Sequence, residues 1–353
     1  MTLRRTRVGF FGVLGVRQVV AAGLVLVTVL FFLPAAVVSG TPAYGQGGQS
    51  AAQTEPEAML PIDRAVQTTA SRDRGRAVRL QKTDGTIEEL TMADYLWGVV
   101  AAEMPASFEE EALKAQACAA RTYTVIKQNA ASQKHPGADI CGDSTCCQAY
   151  IERSAAETRW GLNADSYGEK ITRAVEETDG LGILYDGKPI QALFFSSAAG
   201  RTVDAVEVWG NSVDYLKSVD SPEGEEVPNY HTQAALTAQE VKDAVIKAYP
   251  GADLSGDPAD WFGQVRRSEG GAVSSILVGG ITLTGGQVRS LFALRSASFT
   301  VDWDGTQFNF SVTGYGHGVG MSQYGANAMA KEGKGFEDIL TWYYTGTQVS
   351  ALW

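Results

Sequence analysis

The chain carries 353 residues, a formal net charge of −11, 44% hydrophobic residues and 4 cysteines. An acidic balance of that size excludes a nucleic-acid grip built on clustered Lys and Arg. The length allows one large domain or two small ones with a substantial core.

Residues 19–38 form an almost unbroken apolar run preceded by Arg4, Arg5, Arg7 and Arg17. A run of this length is about what a helix needs to cross a bilayer, and the basic flank keeps the N-terminus inside. The alternative is a cleaved signal peptide, whose apolar region normally spans about 7–15 residues before a small-residue site. Here the run is longer, and Ser39-Gly40 is a weak site. Residues 1–40 therefore read as a cytoplasmic tail and a single-pass anchor in the cell membrane, with the remainder outside the cytoplasm. Residues 41–75 are polar, contain Gly45-Gln46-Gly47-Gly48-Gln49-Ser50 and read as a flexible tether. The basic residues Arg72, Arg74, Arg76 and Arg79 read as its solvated end, leading into a domain at 76–353.

Alternation of apolar and polar residues over 78–90, around Asp84-Gly85, predicts a hairpin. Thr91 and Asp94 resemble a capping box that opens a helix. It sets Leu96, Val99, Val100 and Glu103 on one face until Pro105 ends it. Ser107 with Glu110 supplies a second box for a helix reaching about Gln128. A Cys-bearing loop precedes a helix at 166–178, and strand-like runs follow at 182–185 and 190–196. A helix at 236–248 is capped by Thr237 and Glu240. Residues 272–312 mix short β-rich runs with glycine turns and a short helix near 287–294; helices at 322–331 and 336–344 close the chain. Helices and strands do not alternate regularly, which favours an α+β fold, one large domain of mixed helices and short strands, over a doubly wound sheet.

Glu103 stands among apolar residues, where a carboxylate is costly to keep ionised and its pKa rises toward the range of a general acid. The plain alternative is a solvent-facing Glu at a helix end. Arg121 shares a tightly packed face with Ala117 and Cys118. It fits either a buried ion pair or a group that grips a substrate oxygen or tunes Glu103. The stretch 314–325 places glycine at every second position from 314 to 320, ahead of a helix. It lacks the Lys-Ser/Thr of a phosphate loop and the spacing of a dinucleotide fingerprint. Its glycines suit close approach to an extended ligand, with His317, Gln323 and Tyr324 as polar contacts, or a tight structural turn. Residues 194–202 present Ser196 and Ser197 without a Gly-x-Ser-x-Gly elbow. Hydrogen bonding to a sugar, or turn structure, is expected there rather than a serine nucleophile.

The loop 134–148 gathers His135, Cys141, Cys146 and Cys147. Outside the cell a disulfide from Cys141 to Cys146 or Cys147 is permitted. His135 with the three thiolates is also the donor set of a closed structural zinc site, a reading that gives His135 a role. Cys118 reads as a small buried apolar residue.

Together these motifs resemble the stage II sporulation protein D family, whose relatives include amidase enhancers. The resemblance rests on 99–105 leading into 111–117 and Arg121-Thr122-Tyr123, then on Cys147-Gln148-Ala149-Tyr150, 195–202 and 314–325. It implies a membrane-anchored lytic transglycosylase that cuts the MurNAc-GlcNAc β-1,4 bond of peptidoglycan during forespore engulfment. The implied substrate is glycan stripped of peptide by an amidase partner of the stage II sporulation protein P type. Glu103 matches the family's catalytic glutamate, Arg121 an active-site arginine, and His135, Cys141 and Cys147 a metal-binding loop of some members. This chain has Ala198-Ala199 where Ser-Gly is more usual, and Cys146 where a His is often seen. In the implied mechanism Glu103 protonates the glycosidic oxygen and then deprotonates the C6 hydroxyl to close a 1,6-anhydro ring, with no cofactor required. A conventional glycosidase needs two carboxylates roughly 5–10 Å apart, and no second carboxylate motif stands out. The alternative function is a non-catalytic glycan-binding module that stimulates a cell-wall amidase.

Overall fold

The computed structural model describes residues 70–130 and 134–353; the expected anchor and most of the tether lie outside the described residues. Among the described residues no helix is long and apolar enough to cross a membrane.

The alternating stretch folds as a hairpin of β1 (Ala77–Gln81) and β2 (Ile87–Thr91), with Val78 and Leu80 fully buried on one face. Gly85 sits at φ 86°, the left-handed geometry this turn requires. Thr91 then caps helix α1 (Met92–Glu103) by accepting from the Asp94 N–H at 3.1 Å. Tyr95, Leu96, Val99 and Val100 are fully buried, so α1 runs through the core rather than over it. Met104, which precedes Pro105, is extended at φ −118° and ψ 145° and stops the helix. Glu103 is thereby its last residue.

The second expected cap is not formed. Helix α2 (Glu110–Asn129) has no side-chain cap, because a turn from Pro105 O to the Phe108 N–H carries Ser107 away from its start. Asn327 Oδ1 takes the Glu109 N–H at 2.8 Å instead. Ala112, Ala115, Ala117, Ala119 and Ala120 have no exposed surface, and their small size lets α2 occupy the centre of the fold.

Strand β3 (Ile140–Cys141) lies parallel to β1, and helices α3 (Arg153–Trp160) and α4 (Ala164–Glu176) follow. Only Ala156 is buried on α3, so the sequence carried no apolar period by which to find it. Strands β4 (Leu181–Tyr185) and β5 (Lys188–Pro189) form a second hairpin. The run expected over 190–196 contracts to β6 (Phe194–Phe195), since its partner segment is equally short.

After α5 (Ala205–Trp209) come β7 (His231–Thr237), α6 (Ala238–Ala248), β8 (Phe262–Arg267), β9 (Val273–Val278), β10 (Ile281–Leu283), α7 (Gly285–Leu291), β11 (Phe299–Trp303) and β12 (Gln307–Thr313). Strand β12 lies between β11 and β7, and β9 between β10 and β8. Val241, Ile276, Phe308 and Phe310 belong to a hydrophobic cluster separate from the one around α1 and α2. Leu236, expected in a helix, lies in β7; the helix begins after Thr237, whose capping box with Glu240 is fully formed. The chain returns to the first cluster through β13 (Met321–Ser322), α8 (Gln323–Lys331), α9 (Phe336–Tyr343) and β14 (Gln348–Ala351). Helices and strands are mixed without regular alternation, consistent with an α+β fold.

Residues 71–73, expected in the tether, belong to this fold. The Asp179 carboxylate accepts from Ser71 Oγ at 2.8 Å and from the Arg72 and Asp73 N–H groups at 2.6 and 2.9 Å. Asp73 is fully buried and meets Arg121, with Nη2 2.6 Å from Oδ2 and Nε within 3.1 Å of both oxygens. Arg121 Nη1 donates to Leu181 O at 2.8 Å. The other basic residues are also engaged: Arg76 stacks 4.5 Å over Trp353, and Arg79 pairs with Asp139 at 2.7 Å. Arg121→Ala strands the Asp73 carboxylate in the core, which costs about 3–5 kcal/mol. Denaturant unfolding of the full-length protein should show that loss, with Arg121→Lys recovering little of it because one ammonium cannot reproduce the planar fork. Stability of Arg121→Ala within about 1 kcal/mol of wild type would contradict a structural role for the pair.

Candidate active site

Glu103 ends α1 with its carboxyl group between elements distant in sequence. Oε1 accepts from the Ala149 N–H at 2.5 Å, and Oε2 from the Gln323 side-chain amide at 3.4 Å. The residue is half-buried. Burial raises its pKa above the ordinary glutamate value, and the Ala149 and Gln323 hydrogen bonds pull only part of the way back. Its place at the negative end of the α1 dipole disfavours the carboxylate further. Among the described residues, no carboxylate or cation is a partner of this group.

Each donor is held by its own device. Gln148 Nε2 donates to Tyr95 Oη at 2.7 Å and to Thr124 Oγ1 at 3.0 Å, while the Ile151 N–H donates to Gly98 O at 3.2 Å. Tyr150 stacks on Tyr95, and a Cβ at Gly98 would overlap the Tyr150 ring. Residues 148–151 are thus pinned across α1, which delivers the Ala149 N–H to Glu103. Gln323 opens α8, and its amide also faces Gln116 Oε1 at 3.4 Å. With acceptors on both sides, the nitrogen of that amide rather than its oxygen points at Glu103.

The glycine stretch serves the protein's own backbone. Gly316 and Gly320 have φ of 123° and 80°; a Cβ would lie 2.7 Å from Phe195 Cβ at the first and overlap Leu193 O at the second. The close approach expected toward an extended ligand is therefore made to residues 193–197. Ser197 and Tyr315 exchange both backbone hydrogen bonds, at 3.0 and 2.8 Å, and β13 lies parallel to β6. Ser196 O accepts from the Tyr324 N–H at 3.0 Å, which seats the start of α8 beside the serine loop.

Of the expected contact residues, Gln323 meets Glu103, and Tyr324 packs edge-on against Phe108 with ring centroids 4.9 Å apart. Ser196 is half-buried beside them, whereas Ser197 is buried. His317 borders a separate narrow cleft with Ser197, Ala198, Arg201 and Gly316. Its Nδ1 accepts from the Val319 N–H at 3.1 Å, and burial, reinforced by the charge of Arg289, pushes its pKa down to about 4. At neutral pH it is therefore a neutral ring between Phe195 and Trp209. Arg121 is not part of this site. Sealed at 0% exposure by Asp73 and Leu181, it can neither grip a substrate oxygen nor reach Glu103. A hollow of about 450 Å³ against α3 and α4 is lined by exposed Arg153, Glu157, Asp165, Glu169 and Arg173, and no partner of Glu103 faces it.

The cysteine loop closes into a cluster in which the ligand atoms of His135, Cys141, Cys146 and Cys147 all lie within 4.8 Å of one another. His135 Nε2 is 3.3 Å from Cys146 Sγ and 3.5 Å from Cys147 Sγ, and the two sulfurs are 3.7 Å apart. Ligands about 2.0–2.3 Å from a tetrahedral zinc stand roughly 3.4–3.8 Å from one another, so the donor set fits such an ion. The adjacent thiols face one point because the Cys146 and Cys147 N–H groups both fold back onto Asp143 O. Gln81 Oε1, 3.0 Å from His135 Nδ1, orients the ring so that Nε2 faces the sulfurs. Gln81 reaches this position through the pairing of β1 with β3, where it stands opposite Cys141.

A family model described as SpoIID, stage II sporulation protein, matches residues 81–185, the span holding Glu103, Ala149 and the Cys/His cluster. The chain is 39% identical over 267 residues to the stage II sporulation protein D of Bacillus subtilis (strain 168), covering 75% of this chain and 76% of that protein. With the stage II sporulation protein D of Bacillus amyloliquefaciens the identity is 34% over 330 residues, 93% and 92% of the two chains. An amidase enhancer of Bacillus subtilis (strain 168) is 29% identical over 304 residues, 72% of this chain and 40% of that protein. The chain belongs to the stage II sporulation protein D family.

Proposed function

We propose that this protein is a peptidoglycan lytic transglycosylase that acts in sporulation, with Glu103 as its single acid and base. The observation that carries this reading is the Glu103 carboxyl group itself: half-buried, raised in pKa, gripped by Ala149 and Gln323, and without a carboxylate among its described partners. Protonated Glu103 donates to the oxygen of the MurNAc-GlcNAc β-1,4 bond. The bond to the anomeric carbon breaks, and the leaving sugar departs with a hydroxyl. The Ala149 N–H and the Gln323 amide stabilise the carboxylate so formed, which takes the proton of the C6 hydroxyl as its oxygen attacks the anomeric carbon. A 1,6-anhydro ring closes, Glu103 is protonated again, and no water is consumed. Tyr324 and Ser196, beside Gln323 at the start of α8, offer a polar and aromatic wall for the glycan next to Glu103, while neutral His317 lies on the separate cleft.

In this reading an anchor within residues 1–40 holds the domain at the membrane outside the cytoplasm during forespore engulfment. An amidase of the stage II sporulation protein P type prepares its peptide-stripped substrate. The amidase-enhancer relative favours a second reading, a glycan-binding module that stimulates an amidase without cutting glycan. His135, Cys141, Cys146 and Cys147 would hold a zinc ion, and four protein donors of this kind would give it a structural rather than a catalytic contribution. Bound there, it would fix the loop that leads to Ala149.

Full-length protein incubated with peptide-free glycan strands should yield anhydro-terminated fragments by mass spectrometry, and Glu103→Gln should lower the rate about 10²–10⁴-fold. Fragments ending in reducing MurNAc, or undiminished cleavage by the variant, contradict the mechanism. Amidase stimulation that survives in Glu103→Gln, with no cleavage by wild type, establishes the second reading.

A raised Glu103 pKa also links stability to pH. The charged carboxylate is no burden below the pKa of the unfolded chain and becomes one as pH rises through the folded-state pKa. The Tm difference between Glu103→Gln and wild type should therefore move in favour of the variant from about pH 4 to about pH 7. A difference constant over that range argues against the raised value.

Metal analysis should find about one zinc per chain. Chelation should lower Tm while cleavage persists at temperatures well below the new midpoint. Immediate loss of cleavage with the fold intact would make the ion catalytic, and a chain without metal or free thiols would make the loop a disulfide.

A further inference from the structure

Glu223 belongs to no motif that the sequence brings forward, yet it is 4% exposed, and its hydrogen-bond partners are neutral. Oε1 accepts from the Ala198 N–H at 2.6 Å and from Ser322 Oγ. Oε2 accepts from Ser221 Oγ at 2.5 Å, and that hydroxyl is 2.7 Å from Tyr343 Oη. A buried carboxylate is costly unless such bonds are complete. Here they join the serine loop, the start of α8 and helix α9. Ser322 Oγ also accepts from the Gly325 N–H at 3.2 Å, so the partner of Glu223 is itself the cap of α8. Gly325 lets the network lie against the helix backbone, since a Cβ there would overlap Tyr343 Oη and lie 2.6 Å from Glu223 Oε2.

The residue after Ser322 is Gln323, the donor to Glu103. We propose that Glu223 is a positioning residue, a buried anchor that sets the first turn of α8 so that the Gln323 amide donates to Glu103. This inference rests on the reading of Glu103 as the reacting acid. The groups that face Glu103 are the Ala149 N–H from the loop before α3 and the Gln323 amide from α8, and on its own helix the Tyr95 phenol feels its charge. Tyr95 is held neutral by burial, which leaves the two donors to set how readily Glu103 ionises.

Carboxyl ¹³C NMR of the full-length protein labelled at glutamate, with Glu103→Gln for assignment, reads the Glu103 titration without substrate. Gln323→Ala removes a donor that favours the carboxylate, so the midpoint should rise by about half a pH unit or more. Glu223→Ala should raise it likewise, and the double variant should add little to either single change. Glu223→Gln keeps Oε1 as acceptor for Ala198 and Ser322 and can donate to Ser221, so its midpoint should match wild type. Should Glu223→Ala fail to fold, Ser322→Ala cuts the same link at α8 and must give the same rise. A wild-type midpoint in the folded Glu223→Ala or Ser322→Ala, or additive shifts in the double variant, overturns the proposal. Absence of glycan cleavage by wild type would remove the acid–base reading of Glu103 and leave this positional result standing.

Discussion

The carboxyl group of Glu103 is held between opposed influences. Burial and the α1 dipole favour its proton, while the Ala149 and Gln323 donors favour its loss. A proton-cycling group needs both, because a carboxyl that never ionises or never reprotonates catalyses nothing twice. Hydrogen bonds weaken steeply with distance and angle, so this balance depends on how firmly the two donors are held. Pro105 fixes where α1 ends, the pinned 148–151 segment fixes Ala149, and the pairing of 314–322 with 193–197 fixes Gln323.

Charge and packing are divided accordingly. The buried pair Arg121–Asp73 ties the entry of the domain to α2, the helix that also carries Gln116. Its value lies in what breaking it costs, not in any net gain from the pair. The second hydrophobic cluster plays its part at a distance: β12 ends at Thr313, and the glycine stretch leaves it directly for the serine loop. Gly314, bound through its N–H to Tyr230 O at 2.8 Å, marks that exit.

Local signals were legible where one residue type has one physical meaning. Thr91, Thr237 and Pro105 marked helix ends because a cap or a missing N–H acts within a single turn. Period and burial likewise made Glu103 visible as a carboxylate on an apolar face. Ser107 misled, because a turn after Pro105 displaced it from a cap its spacing allowed. Helix α3 left no trace, having little apolar surface to bury. At the site, Gln116 and Glu223 were hidden for a different reason. An amide inside an alanine-rich helix and an acid in a run of acids acquire meaning only from partners more than 200 and about 100 residues away. The glycines of 314–320 announced a close approach but not its object, which is the protein's own strand.

The central claim is that the hydroxyl attacking the anomeric carbon belongs to the substrate and not to solvent. Digestion of peptide-free glycan by the full-length protein in ¹⁸O-labelled water measures this directly. The account predicts anhydro ends whose masses carry no label. Label at the new MurNAc ends would show that water is the nucleophile, and Glu103 would then be serving an ordinary hydrolase.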